Sequence, residues 1–366
     1  MLTAADFIPN SYTSAIENGN FEWSAPSNIA LVKYWGKKDN QIPANPSVSF
    51  TLNNCKTITK LGFEKRDASS LLNVTNGFSF DLLFEGKPKE DFKPKIQKFL
   101  ERVEVYLPFL KEYHFTIDTQ NTFPHSSGIA SSASGMAALA MNFMSLERKL
   151  NPEMTDDYFY QKASFLARLG SGSACRSVKG NVVVWGNQEN IEGSTDLFGV
   201  EFPYTIHENF KNYQDTILLV DKGEKQVSST VGHDLMHNHP YAERRFAQAH
   251  ENLDKLISIF ENGDFNEFIK VVESEALTLH AMMMTSMPYF ILMKPNTLQI
   301  INAICKFRNE TQIPVCFTLD AGANVHVLYP ENGSEKVLQF IQDELVVFCQ
   351  NSQYICDKIG HGAIAL

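Results

Sequence analysis

The sequence predicts an α+β chain folded into two lobes. Three observations carry that expectation. The 366 residues correspond to about two domains at ~150 residues each. Strand and helix signals neither alternate strictly nor segregate into separate blocks. A polar stretch near 187–212 separates a first part in which strand signals dominate from a second with long helical runs. The expected division is therefore an extension over 1–20, loosely held, a first lobe over 21–205 and a second over 206–366.

The elements follow in order. Val48, Phe50 and Leu52 alternate with Ser47, Ser49 and Thr51, the pattern of a half-buried strand. Asn76-Gly77 stands between two strand-like runs and reads as a hairpin turn, because both residues tolerate positive φ. A helix is expected near 91–106 and a strand near 113–119. Helix formers dominate 132–150, and 156–169 reads as a second helix. The runs 181–186 and 216–221 are apolar strands. Two long helices near 240–261 and 264–283 are separated by Asn262-Gly263, with Asp264 placed to cap the second. A helix near 296–308, strands near 313–319 and 324–330, a helix near 335–347 and a short strand near 353–357 complete the chain.

Composition excludes several functions. With 32 basic and 42 acidic residues the net charge is −10, the wrong sign for coating nucleic acid or an anionic membrane. An anionic small-molecule partner remains compatible if a few cations converge. No run approaches the ~18 apolar residues that span a bilayer, and the first 20 residues lack a signal peptide's basic start and apolar stretch. The six cysteines form no CxxC pair. They read as reduced, mostly buried thiols of a cytoplasmic protein, with no cysteine-based zinc site.

Four segments could carry chemistry. In 124–135 (PHSSGIASSASG) small residues lead from a strand into a helix. Gly128, Ala130, Ser131, Ser132 and Ser134 would let a backbone approach a phosphate at the helix N-terminus. The competing reading is a helix packed tightly on a sheet; no lysine follows the second glycine, so this is not a Walker A loop. In 28–39 (NIALVKYWGKKD) an apolar strand from Asn28 runs into Lys33, Tyr34 and Lys37. A lysine inside a strand needs an anion or a partner, unless it simply lies at a solvated strand end. In 168–177 (RLGSGSACRS), Ser171, Ser173 and Arg176 sit among glycines, as an anion nest with a two-pronged arginine would, or as a polar loop. In 318–324 (TLDAGAN), Asp320 ends an apolar strand as a candidate acid–base group or as an Asx-turn residue. Two further features carry less. His233, His237 and His239 approximate a zinc helix motif but lack its context. The methionines at 282–284 read as core.

In this order, the four segments resemble the GHMP superfamily of small-molecule kinases and, within it, the diphosphomevalonate decarboxylase family. Segments 227–232 (VSSTVG) and 279–282 (LHAM) are similar to family segments as well. The resemblance covers about 25–324 and implies a GHMP-kinase-like fold with the active site between the lobes. It further implies ATP and Mg²⁺ as cofactors, with the ion reached through ATP and Ser132, and a homodimer. By this resemblance Asp320 would orient or deprotonate a tertiary hydroxyl, with Lys33 paired to it. Arg176, Ser171 and Ser173 would bind the substrate, the arginine at its carboxylate. Tyr34 and Lys37 would face a phosphorylated tail, Asn28 would support the site, and Ser228 and Ser229 would join the substrate contacts. The helix-opening loop would hold ATP. The activity implied is phosphorylation of mevalonate 5-diphosphate followed by loss of phosphate and CO₂. Alternatives are a decarboxylase of the 5-monophosphate and a mevalonate 3-kinase that stops after phosphorylation. Asp81 falls where an arginine of the family pattern is expected, which would weaken the grip on a terminal phosphate.

Overall fold

The computed structural model describes residues 2–67, 77–124, 129–222 and 229–366. Its architecture is mixed, with two sheets and helices packed on both. The first sheet contains β1 (Asn18–Val32), β2 (Ser47–Lys65), β3 (Ser79–Phe84), β4 (Lys87–Pro88), β5 (Tyr113–Asn121), β6 (Val182–Trp185), β7 (Val200–Glu201) and β12 (Ile364–Ala365). The order is β12-β1-β2-β5-β3-β4, with β6 on β2 and β7 on β6. Helices α1 (Lys93–Val103), α2 (Ser131–Leu150) and α3 (Asp156–Gly170) contribute to its core, where Phe63, Phe99, Phe115, Phe143 and Phe165 cluster.

The second sheet is antiparallel, in the order β11-β8-β10-β9. It is formed by β8 (Gln214–Leu218), β9 (Cys316–Thr318), β10 (Val325–Tyr329) and β11 (Tyr354–Lys358). The helices of this half are α4 (Ser229–Asp234), α5 (Ala242–Asn262), α6 (Phe265–Met284), α7 (Pro295–Thr311) and α8 (Ser334–Phe340); α6 and α7 pack on β9, and α5 packs on α6. The α5–α6 break falls where the sequence puts it. Gly263 adopts φ +72°, closing α5, and the Asp264 side chain accepts from the Glu267 amide, opening α6. One apolar cluster is shared by the lobes. Phe50 of β2 packs among Phe210, Tyr213, Phe260 and Phe268.

Several expectations need correction. The hairpin at Asn76-Gly77 lies partly outside the described residues. The strand after it, β3, runs parallel to β5. Residues 47–52 are buried on both faces, not one, because the serine face meets a buried arginine described below. The first 20 residues are not loosely held. Phe7 is fully buried, its ring 4.7 Å from that of Phe165, Tyr12 donates to Glu147, and β1 already begins at Asn18. The chain's end also returns to the first sheet, where Trp23 and Ser24 pair with Ala365 and Ile364. The last predicted helix stops at Phe340 and continues as a wider turn over Ile341–Leu345.

β1 and α6 position the site. Pro26 has no N–H to donate, and the β1–β2 register shifts between Pro26 and Asn28, a bulge that redirects the strand. Beyond it, Asn28 meets the Gly172–Ser177 turn of the first lobe and Lys33 meets Glu275 and Asp320 of the second.

Candidate active site

Lys33 lies one residue past β1 and is 1% exposed. Its ammonium donates to Asp320 Oδ1 at 3.0 Å. Asp320 follows β9, and its carboxylate is partly open to solvent. Burial pushes the Lys33 pKa below the usual lysine range, against the opposing pull of Asp320 and Glu275. A buried ammonium therefore faces a carboxylate that a substrate can still reach.

Helix α6 fixes both members of that pair. Glu275 Oε2 accepts the Lys33 backbone N–H at 2.8 Å. Arg245 of α5 grips Glu275 with two parallel bonds of 2.9 and 2.6 Å and also donates to the Lys33 carbonyl. Asn252 donates to Glu275 Oε1, and Asn45 donates to the Lys33 carbonyl. One turn further along α6, His280 Nε2 donates to the Asp320 carbonyl at 3.1 Å. Burial, chiefly, holds His280 neutral, with its pKa pushed down to about 4.

Arg176 sits in a 3₁₀ turn, Gly172–Ser177, and is 2% exposed. Its Nε donates to Ser49 Oγ at 2.8 Å, Nη1 to Ser47 Oγ, and Nη2 to Asn28 Oδ1 at 3.4 Å. Asn28 in turn donates to Ser177 Oγ and the Ser173 carbonyl. Among the described residues no carboxylate forms an ion pair with Arg176. A buried guanidinium held only by neutral groups favours an incoming anion. Ser171 and Ser173 are half-buried at the start of the same turn. Tyr34 lies edge-on to Trp185, centroids 4.6 Å apart, and the Arg176 guanidinium lies 5.8 Å from the same indole. Lys37 reaches Asp234 of α4 at 3.6 Å.

The expected phosphate loop divides. Gly128 and Ser228 lie outside the described residues; Ser229 opens α4. Ala130 caps α2, Ser131 is half-buried and Ser132 exposed at its N-terminus. Ser132 Oγ accepts from Lys95 of α1 at 2.7 Å, so a cation stands where a phosphate would need one. Ser134 corrects the expectation. It is fully buried and its hydroxyl is shared with Thr57 at 2.6 Å and the Ser131 carbonyl, which fastens α2 to the sheet. Asp81 has a partner of its own. It lies on β3, three strands over from β1, with its carboxylate 3.4 Å from His114.

The histidine cluster does not converge on a metal. His233 Nδ1 accepts from the Gly36 amide. His239 accepts from Tyr241 N–H through Nδ1 and donates to the Met282 carbonyl through Nε2. Among the described residues no three His, Cys, Asp or Glu groups could share an ion, and no helix is long and apolar enough to cross a membrane. Of the methionines, Met282 and Met283 are core, while Met284 is exposed.

Several of these residues escaped the sequence reading. Glu275, Arg245 and Asn252 carried a usable signal, since each falls on the apolar stripe of its helix. Ser47 and Ser49 read as a solvent face and are instead the arginine's ligands.

Comparison with known proteins gives one consistent result. The family described as diphosphomevalonate decarboxylase-like N-terminal domain matches residues 25–196. The mevalonate 5-diphosphate decarboxylase C-terminal domain matches 216–361. The diphosphomevalonate decarboxylase of Saccharomyces cerevisiae is 30% identical, over 87% of this chain and 80% of its own. The phosphomevalonate decarboxylase of Haloferax volcanii is 27% identical over 86% and 89%. Among solved structures, mevalonate diphosphate decarboxylase from Staphylococcus aureus aligns with a TM-score of 0.79 at 26% identity, over 95% and 98% of the chains. MDDEF in complex with MVAPP, AMPPCP and magnesium aligns at 0.78 and 27%, over the same shares.

Proposed function

Since the chain belongs to the diphosphomevalonate decarboxylase family, we propose that it converts mevalonate 5-diphosphate, with ATP, to isopentenyl diphosphate, CO₂, ADP and phosphate. The observation that carries this reading is the pairing of a buried Lys33 with a partly open Asp320 near a buried Arg176 that forms no ion pair with a carboxylate among the described residues.

Each residue then has a chemical task. Arg176 takes the substrate carboxylate with the planar geometry that suits it. Asp320 accepts the proton of the tertiary hydroxyl as that oxygen bonds to the γ-phosphorus of ATP and ADP leaves. Lys33 holds the carboxylate in place and balances charge. The phosphate group then leaves as inorganic phosphate, taking the electrons of the C–O bond. The electrons of the bond to the carboxylate carbon become the C=C bond, and CO₂ is released. Tyr34 and Lys37 face the phosphorylated tail, with Ser171, Ser173, Ser228 and Ser229 completing the substrate contacts. Positioning provides much of the rate.

The α2 N-terminus fits the phosphates of ATP. Its first amides are unpaired within a helix by construction, and Ser132 and Lys95 stand beside them. With no three-ligand metal set among the described residues, Mg²⁺ is best accommodated on ATP oxygens, with the Ser132 hydroxyl close by. Gly128, Ala130 and Ser131 supply the loop. We take the lobes as 21–205 and 206–366, and a homodimer in the cytoplasm as the working assembly.

The 5-monophosphate is the second reading. A relative of similar identity is a phosphomevalonate decarboxylase, and Asp234 draws on the charge of Lys37, which lessens its attraction for a second phosphate. Purified protein with mevalonate, its 5-phosphate or its 5-diphosphate, with ADP and CO₂ followed separately, tests both. Equal ADP and CO₂ from the diphosphate supports the first reading, and preference for the monophosphate the second. ADP without CO₂ would make the protein a kinase only.

A further inference from the structure

We propose that His233 binds the phosphorylated tail of the substrate as a neutral hydrogen-bond donor through Nε2–H. The inference rests on the decarboxylase reading above and adds a residue to that site.

The tautomer follows from one bond. The Gly36 backbone N–H donates to His233 Nδ1 at 3.0 Å, so Nδ1 presents its lone pair and the neutral ring carries its proton on Nε2. Gly36 itself is at φ +100°, a turn that aims its amide at the imidazole. The ring is then fixed on two sides. It lies 4.2 Å from the Tyr34 ring and 4.8 Å from the Trp35 indole, centroid to centroid. The preceding residue must be glycine for this fit, because a Cβ on Gly232 would come within 2.5 Å of Trp35. Among the described residues no group accepts from Nε2, and this nitrogen is not one of the sealed, partnerless atoms of the interior.

The surroundings name the ligand class. Tyr34, which faces the tail in the proposed function, is in contact with the ring, and the next residue of α4, Asp234, pairs with Lys37. Burial first, then the positive charges of Lys37 and Arg176, push the His233 pKa down to about 3. The imidazole therefore stays neutral where phosphates are fully ionised. A neutral donor adds a hydrogen bond to an anion without adding to the repulsion among the cations already gathered there.

Two substitutions separate binding from scaffolding. His233→Asn keeps an acceptor near the Nδ1 position for Gly36 and loses the donor. His233→Gln places an amide N–H near the Nε2 position and loses the acceptor. For a tail donor, His233→Asn raises KM for the 5-phosphate or the 5-diphosphate at least ~10-fold, in line with a lost bond to a charged group, while KM for ATP stays within about twofold. His233→Gln recovers most of that loss. The reverse order, with Asn near wild type and Gln impaired, would make His233 a strut for the 34–37 turn and overturn the proposal, as would equal increases in both KM values. Wild-type enzyme gives a check that no variant's folding can spoil. With ¹⁵N-labelled histidine, Nε2 should show the protonated tautomer and shift when the 5-phosphate binds without ATP; an unprotonated or unmoved Nε2 overturns the proposal. Wild type releasing neither ADP nor CO₂ from any of the three substrates would instead refute the decarboxylase reading, a separate outcome.

Discussion

A lysine that is 1% exposed is stable only if its charge is answered, and Lys33 is answered by Asp320 at 3.0 Å. The pair sets two expectations. Asp320→Asn retains the carbonyl bond to His280 and an oxygen for Lys33 but cannot take a proton. It should lower kcat by ~10²–10⁴ with little change in melting temperature; ADP release and a thermal melt check both. The second concerns pH. Because burial lowers the Lys33 pKa, its ammonium is lost at a pH below the ordinary value of ~10.4. The kcat/KM profile should therefore fall on its alkaline side before that value. Between the folded and unfolded pKa the unfolded chain binds more protons at this group, so its contribution to stability diminishes as pH falls through that window. An arginine does not titrate there, so the residual activity of Lys33→Arg should lack this limb. Arg176 is bound by Ser47, Ser49 and Asn28 in a planar fork. Arg176→Lys keeps the charge but not the fork, and should raise KM for the carboxylate substrate by 10-fold or more while leaving KM for ATP near wild type.

At the scale of elements, α6 is what makes the pair a fixed pair. Glu275 holds the Lys33 backbone and His280 holds that of Asp320, so one rigid helix sets the distance between residues that follow two different strands. Arg245 and Asn252 tie α5 into the same node. Glu275→Gln would turn an N–H toward the buried Arg245 donors and leave that cation unpaired. Breaking such a pair costs about 3–5 kcal/mol, so urea unfolding should register a loss of that size, together with a lower kcat as Lys33 shifts. These groups were visible in the pattern. Phe268, Val272, Glu275, Leu279 and Met283 recur at helical spacing on α6, as do Arg245, Ala249, Asn252, Leu256 and Ile259 on α5. A charge at an apolar position on each of two adjacent helices is the signature of a buried pair. The partner strand residues leave no such signature, because a backbone N–H has no sequence identity.

For the whole molecule, both chain ends are structural. Phe7 fills a slot between Tyr158, Phe165 and Phe198, and β12 adds an edge to the strand that carries Asn28. Phe7→Ala should cost about 3–5 kcal/mol, measured by urea unfolding; a loose extension would lose almost nothing. The shared cluster around Phe50 packs residues of both lobes into one apolar core.

The order and type of most elements followed from the sequence alone, because helix periodicity, Gly263 and Asp264 act locally. So did the candidacy of Lys33, Arg176 and Asp320, charged groups embedded in apolar or small-residue runs, where burial demands a partner or a ligand; Asn28 came only with the family resemblance. Only the tertiary structure decided which partners those were. It turned Ser47 and Ser49 inward to Arg176, fastened α2 on Thr57 through the buried Ser134 hydroxyl, set Asp81 beside His114, and laid the His233 ring against Tyr34. Each of these depends on contacts between residues tens to hundreds of positions apart. Such contacts are set by how strands register and helices pack, and no local pattern of residue types encodes them.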